Sequence, residues 1–363
     1  MIDILFLCPR KGNGGIVSWA NKILDKFPDE SYRLHPVDIA PNKDFTKFKG
    51  IDRLKYGIES YWTARKNVKK VLRENPQIRI MHITSGGGLG VIRDFFLALI
   101  TKKQCKNILH CHFGNVTELS ASKGVCGFFF RKALNLYNQI WVLDQRSADT
   151  LRQNVEWQNK VFITPNSIEV PSKCNLTPKQ YKRIGYVGNI VPTKGIFELT
   201  SAVKNMSNDT ELFIAGLGLK DDLETISKIA GEKLNKQIHL LGRLPNDEAV
   251  KLIETLDIIC LPTYYPWEAF PISILEAMSR GKMVISCPRA AIPDMLSNDD
   301  GSMCGILVPE KNAQAITDAI CWCQEHNSEA DEMCQRAYEK VKSNYNENVV
   351  FDIYKSNYRA ILQ

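Results

Sequence analysis

No run of apolar residues in this chain of 363 approaches the roughly 18–20 needed to cross a bilayer. The longest, Phe95–Ile100 and Val125–Phe130, are short and closely followed by lysine or arginine, so no membrane span is expected. Met1–Cys8 carries no basic leader and passes straight into a strand pattern, which is unlike a signal peptide. Eleven cysteines are present without a single C-x-x-C pair, and their number is odd. Several lie in apolar strand runs, so they read as free thiols packed as small hydrophobes in a reducing compartment rather than as a disulfide framework. His110-Cys111-His112 has no spaced partner set, and no metal site is expected there. The turn after the first strand, Pro9–Gly15, has neither the G-x-G-x-x-G spacing nor a lysine-serine or lysine-threonine ending, which removes the usual dinucleotide and P-loop signatures. There is no internal repeat and no disorder-like bias in composition.

What is present is enough chain for two cores, since a single core stops growing near 250–300 residues, as a rough limit. Charge is distributed unevenly. Residues 1–170 hold 26 Lys plus Arg against 15 Asp plus Glu, a net of +11, and the remainder carries −4. A basic N-terminal half points to an anionic partner for that half. Strand and helix patterns alternate through residues 1–170 and again from Arg183, which predicts two doubly wound α/β domains with parallel sheets. Residues 171–182 are polar, contain proline and lack periodicity, and read as the linker. The expected domains are therefore 1–170 and 183–340, with a helical segment, 341–363, crossing back to the first.

Several features stand at predicted strand exits, where ligands bind in open parallel sheets. Gly12–Gly15 and Gly86–Gly90 are glycine-rich. His110 and His112 alternate onto one face at the end of the strand Asn107–His112; either a structural or a site role fits them. Tyr61 and Trp62 precede a basic helix face at Arg65, Lys66, Lys69, Lys70 and Arg73, which fits a solvated face or contact with anionic lipid headgroups. In the second half, Val187–Gly195 brings Lys194 to a helix start, where free amides favour an anion. The stretch Leu261–Gly281 is a strand exit, a loop held irregular by Pro262 and Pro266, and a helix from Pro271. It carries Glu268 in the loop and Glu276 one to two turns into the helix. Two helix starts, a lysine and two carboxylates together suit a sugar attached to a diphosphate. No D-x-D sequence is available to hold a divalent ion on such a ligand.

Pro266-Trp-Glu268-Ala-Phe-Pro-Ile-Ser-Ile-Leu-Glu276 resembles the E-x7-E signature of the family 4 glycosyltransferases, retaining enzymes of the GT-B fold that build bacterial surface polysaccharides. Gly14-Gly15, Pro165-Asn166, Gly188 through Lys194-Gly195, Gly216-Leu-Gly218, Gly242 and Gly305-Ile-Leu-Val are similar to further elements of that family, in order and at sensible spacings. The resemblance implies two Rossmann-like domains facing a deep cleft. It implies transfer of a hexose-type sugar from a nucleotide-sugar to a glycan or lipid-linked glycan, without cofactor or metal. By the same resemblance Glu276 takes the ribose hydroxyls, and Glu268 contacts the transferred sugar. Lys194 binds the leaving diphosphate beside the backbone of Phe270, Ile272 and Ser273. The base lies against Gly242, Arg243 and Leu244; Gly14 and Gly15 approach the diphosphate; and His112, with His110 as second choice, lies near the sugar. Asn189 stands where the family has a phosphate-binding arginine, which implies a weaker hold on the leaving group that Arg243 would have to offset. A non-catalytic sugar-nucleotide-binding or scaffold protein and a sugar-nucleotide epimerase are the alternatives, and no nucleic-acid-binding motif occurs. The expected location is cytoplasmic, at the inner face of the membrane if the basic half meets anionic lipid.

Overall fold

The structure is a computed structural model that describes residues 1–12, 15–40, 50–172, 174 and 179–363. Internal contacts divide it into two units, Met1–Pro165 with Phe351–Gln363, and Asn166–Val350. Each is built on a parallel six-stranded sheet flanked by helices.

In the first unit the strands are β1 (Ile2–Cys8), β2 (Tyr32–Asp38), β3 (Ile80–Ser85), β4 (Lys106–Cys111), β5 (Gln139–Val142) and β6 (Val161–Ile163), in the order β2-β1-β3-β4-β5-β6. Both faces are covered, so the central strands are buried throughout; all six residues of β3 are buried. Alternation sorts their side chains. Leu5, Leu7, Met81, Ile83, Leu109, Ile140 and Val142 face a core completed by Ala64 and Val68, Leu97 and Ala98, and Phe130 and Ala133, from the helices Gly50–Glu74, Gly90–Thr101 and Val125–Leu136. Phe6 pairs in register with His82, and His110 with Trp141, on the opposite, aromatic face. That face is packed by Trp19 of the helix Gly15–Lys26 and by Tyr354 and Tyr358 of the last helix, Glu347–Ala360. Strand β2 escapes the sequence pattern because Pro36 interrupts it. The sheet tolerates the missing N–H because β2 is an edge strand.

In the second unit the strands are β7 (Arg183–Val187), β8 (Glu211–Ala215), β9 (Ile238–Gly242), β10 (Ile258–Leu261), β11 (Met283–Ser286) and β12 (Ile306–Leu307), in the order β12-β11-β10-β7-β8-β9. The chain runs outward from β7 through β8 to β9, then returns to β10 on the other side of β7 and runs outward again. Consequently β7 and β10 are neighbours whose exits lead in opposite directions, a topological switch point.

The division between units at Pro165 and Asn166 has a local cause. Asn166 Nδ2 donates to Phe270 O at 3.0 Å, and the Ile168 amide donates to Tyr345 O at 2.9 Å, so this turn is already part of the second unit. Within the stretch read as a linker, Lys173 and residues 175–178 lie outside the described residues. Tyr181 is fully buried, its hydroxyl donating to Asp331 at 2.5 Å. Residues 341–350 also pack in the second unit, with Val341 buried and the Tyr345 ring 5.3 Å from Phe270. Among the described residues no helix is long and apolar enough to cross a membrane.

Candidate active site

The β7 exit leaves through Gly188 and Asn189 into a single 3₁₀ turn, Pro192–Lys194, and a separate helix begins at Ile196. Lys194 therefore ends the turn before the helix and does not lie in its first turn as expected. The break is at Gly195, whose φ of +74° ends the 3₁₀ turn. A Cβ at this position would lie 2.2 Å from Pro262 O, so only glycine permits so close an approach of the β7 and β10 loops. The Tyr264 amide then donates to Thr193 O at 2.9 Å.

That approach brings Lys194 Nζ to 3.1 Å from Glu268 Oε2. Both side chains are mostly buried, and Thr263 Oγ1 donates to the same carboxylate oxygen at 3.2 Å. The Glu268 amide donates to Tyr265 O at 3.0 Å, which closes a tight turn and aims the carboxylate inward. The Tyr265 ring lies 5.8 Å from Lys194 Nζ. Burial first, and then the Glu268 charge, push the phenols of Tyr265 and Tyr186 above their ordinary range. Thr263 and Tyr265 were not expected at the site. Their only trace in the sequence is a hydroxyl–aromatic run between two prolines at a strand exit.

Pro271 caps the helix Ile272–Met278 without entering it. The amides of Ile272 and Ser273 head that helix on half-buried residues, and Phe270 is buried. Glu276 is buried on the same helix, where neighbours hold it. Asn189 is exposed, and its carbonyl accepts from Tyr186 at 2.7 Å. Gly242, at φ +70°, ends β9 and is followed by exposed Arg243 and half-buried Leu244. Asn166 Oδ1 and Thr193 Oγ1 are among the buried oxygens of this unit that have no hydrogen-bond partner.

In the first unit the corresponding reversal falls between β1 and β3, and β4 lies beside β3. The two histidines differ in role. His110 is inaccessible and spent on structure, with its ring nitrogens 3.2 Å from His82 Nε2 and 3.2 Å from Thr164 Oγ1. His112 lies just past β4, packed 4.1 Å from both the Trp19 and His110 rings, and its Nε2 has no partner. Burial pulls its pKa down to about 3, so it is a neutral imidazole at physiological pH. Asn115 Oδ1, three residues on, is also buried without a partner. Gly15 opens the helix Gly15–Lys26, and nothing lies within 4 Å of the position a Cβ would take there; Gly14 lies outside the described residues. No group of three or more His, Cys, Asp or Glu that could hold a metal occurs among the described residues.

Residues 167–341, just under half of the chain, match the family model described as glycosyl transferases group 1. They form a domain of that kind. The chain is 27% identical over 205 residues to the amylovoran biosynthesis glycosyltransferase AmsK of Erwinia amylovora, covering 53% of this chain. The match spans about half of that relative's length, 49%. Sucrose-phosphate synthase of Thermosynechococcus elongatus superposes with a TM-score of 0.77 at 15% identity, over 100% of this chain and 99% of that one. HepE of Anabaena, solved in complex with UDP, superposes with a TM-score of 0.68 at 15% identity, over 99% and 100%. The fold is GT-B, with two parallel-sheet domains.

Proposed function

We propose that the chain is a glycosyltransferase of cell-surface polysaccharide biosynthesis. It moves a hexose-type sugar from a nucleoside-diphosphate donor to a glycan or lipid-linked glycan, with retention at the anomeric carbon. One observation carries this reading. Within the group 1 glycosyltransferase domain, a lysine and a carboxylate are paired at 3.1 Å at the β7/β10 switch point, the place where open parallel sheets bind ligands.

Lys194 supplies the positive charge for the departing diphosphate, so the scheme calls for no metal. At about 4 Å and an effective dielectric near 20, an ammonium attracts a phosphate charge by ~4 kcal/mol. The anomeric C–O bond breaks with its electron pair on the diphosphate, where fixed charge contributes most to rate. The acceptor hydroxyl forms the new C–O bond on the same face and gives its proton to a phosphate oxygen. Glu276, an acceptor-only carboxylate, takes two ribose hydroxyls; Glu268 takes a sugar hydroxyl. His112, neutral and with Nε2 unpartnered, can accept from or donate to a further hydroxyl according to its tautomer. A binding protein without turnover would account for Asn189 in place of an arginine, but the presence of Lys194, Glu268 and Glu276 argues against that rival.

The deciding experiment incubates purified protein with a panel of nucleotide-sugars and follows slow donor hydrolysis without acceptor. Turnover is expected with at least one donor. Glu276→Ala loses hydrogen bonds to a charged acceptor, about 1.5–3 kcal/mol each, and should raise the donor KM at least ~tenfold. A Glu276→Ala protein with unchanged kinetics would sink the assignment.

A further inference from the structure

The helices that cover the non-aromatic face of the first sheet carry a second feature, separate from the candidate site. Five rings touch in sequence across three of them. Trp62 lies 5.5 Å from Tyr61, Tyr61 5.9 Å from Phe96, Phe96 5.8 Å from Phe129, and Phe129 5.4 Å from Phe128. The inner rings, Tyr61 and Phe129, are partly buried against the core. Trp62, Phe96 and Phe128 are 54%, 39% and 50% exposed. Exposed aliphatic side chains continue the ribbon: Ile58 one turn before Trp62, Leu99 one turn after Phe96, and Val125 one turn before Phe128. Of the two apolar runs noted in the sequence, Leu97, Ala98 and Phe130 belong to the core. The outward-facing members are Phe96, Leu99, Val125 and Phe128.

The flanks of this ribbon are predominantly basic, with exposed Glu59, beside Ile58, as an acidic exception on the Trp62 helix. Arg65 lies 4.9 Å from the Trp62 ring centre, and Lys132 5.7 Å from that of Phe128. Lys66 and Lys69 are exposed on the Trp62 helix, and Lys102 and Lys103 directly follow the Phe96 helix. Residues 89–136 contain seven Lys plus Arg against two Asp plus Glu. One of those acids, Asp94, is inaccessible and paired with Arg93 at 2.7 Å.

From this we propose that the first unit docks on an anionic lipid bilayer through the Trp62–Phe96–Phe128 ribbon. Aromatic rings seat at the headgroup boundary, aliphatic chains reach below it, and long cations extend to lipid phosphates; the ribbon and its flanks present these three together. A second copy of the chain fits less well, because a two-fold contact sets the same patch against itself, cation against cation. Nucleic acid would use the rings and the cations but leave Ile58, Leu99 and Val125 in water. The inference rests on the surface alone and holds whether or not the transferase assignment does.

The test is co-sedimentation of the full chain with vesicles of phosphatidylcholine and phosphatidylglycerol in equal parts, against phosphatidylcholine alone. At about 0.05 M salt, where the screening length exceeds 10 Å, the protein should pellet with the anionic vesicles and far less with the neutral ones. Trp62→Ser with Phe128→Ser should weaken binding at least ~tenfold through lost apolar burial. Lys66→Glu with Lys69→Glu should weaken it at least ~fivefold for each cation lost, and added salt should erase that difference. All four positions are exposed, so thermal melts should be unchanged, as should donor hydrolysis measured without vesicles. The proposal is overturned if anionic vesicles fail to pellet the protein at low salt, or if both double variants bind like the parent. It is equally overturned if Trp62→Ser abolishes a concentration-dependent dimer in a protein that ignores vesicles.

Discussion

Replacing Lys194 with methionine separates what the Lys194–Glu268 pair does for stability from what it does for chemistry. At 3.1 Å and an effective dielectric near 20, the gross attraction is about 5 kcal/mol. Desolvation offsets part of it. Breaking a buried pair from one side costs about 3–5 kcal/mol, because a charge is left without its counterion. Here the lysine side chain keeps 18% of its surface in water, and Thr263 still donates to the orphaned carboxylate. The expected cost is therefore lower, about 2 kcal/mol. For a unit of this size that is a fall in Tm of roughly 4–8 °C, at roughly 2–4 °C per kcal/mol. Adding Glu268→Gln removes the stranded charge and keeps a group that can still accept from Thr263, so the double variant should recover most of the lost Tm. Activity should not follow. Both variants lack the cation for the departing diphosphate, and donor hydrolysis should fall at least ~hundredfold in each, the scale seen when one transition-state donor is removed. Calorimetry and a hydrolysis assay on the two variants decide the matter. The reasoning is refuted if Lys194→Met melts with the parent, or if the double variant regains turnover along with stability.

Two further outcomes follow from the same geometry. Gly195→Ala combines a φ of +74° with a Cβ 2.2 Å from Pro262 O. It should cost at least ~2 kcal/mol and most of the hydrolytic activity, whereas Gly15→Ala, with open space around it, should leave stability within about 0.5 kcal/mol; urea melts of both compare the two directly. The buried histidines make the first unit acid-sensitive. His112 has a folded pKa of about 3 and an ordinary value of 6.5, and burial holds His82 and His110 well below theirs. In this window the unfolded chain binds more protons than the native one, so stability rises with pH. It is fully present above about 6.5 and is lost as pH falls toward the folded values. Between pH 7 and 5, His112 alone should cost ~2 kcal/mol, and a urea midpoint of the first unit that is flat over that range contradicts the burial argument.

Most elements were legible because a parallel sheet covered on both faces writes continuous apolar runs, and helices between them write a three-to-four-residue period. Strand β2 was not, since Tyr32–Asp38 mixes charge, histidine and proline. Only its edge position makes it a strand. Glu268, Glu276 and Lys194 were legible as charged residues at strand exits and helix starts. The pairing of Lys194 with Glu268 was not, because it spans 74 positions and depends on the order in which the strands lie. His110 and His112 were indistinguishable by alternation. The structure separates them, because His110 finds His82 and Thr164 while His112 Nε2 finds nothing.

The sequence by itself determined the α/β alternation, the glycine and proline positions that stop several elements, and the excess of positive charge in the first 170 residues. These are local matters of periodicity, backbone freedom and composition. Tertiary structure alone decided that β10 returns to lie beside β7, which brings the two exit loops together. It also decided that Gly195 lets them touch, and that Trp62, Phe96 and Phe128 join into one surface. Each of those outcomes depends on contacts between residues far apart in the chain, and no local pattern encodes a distance.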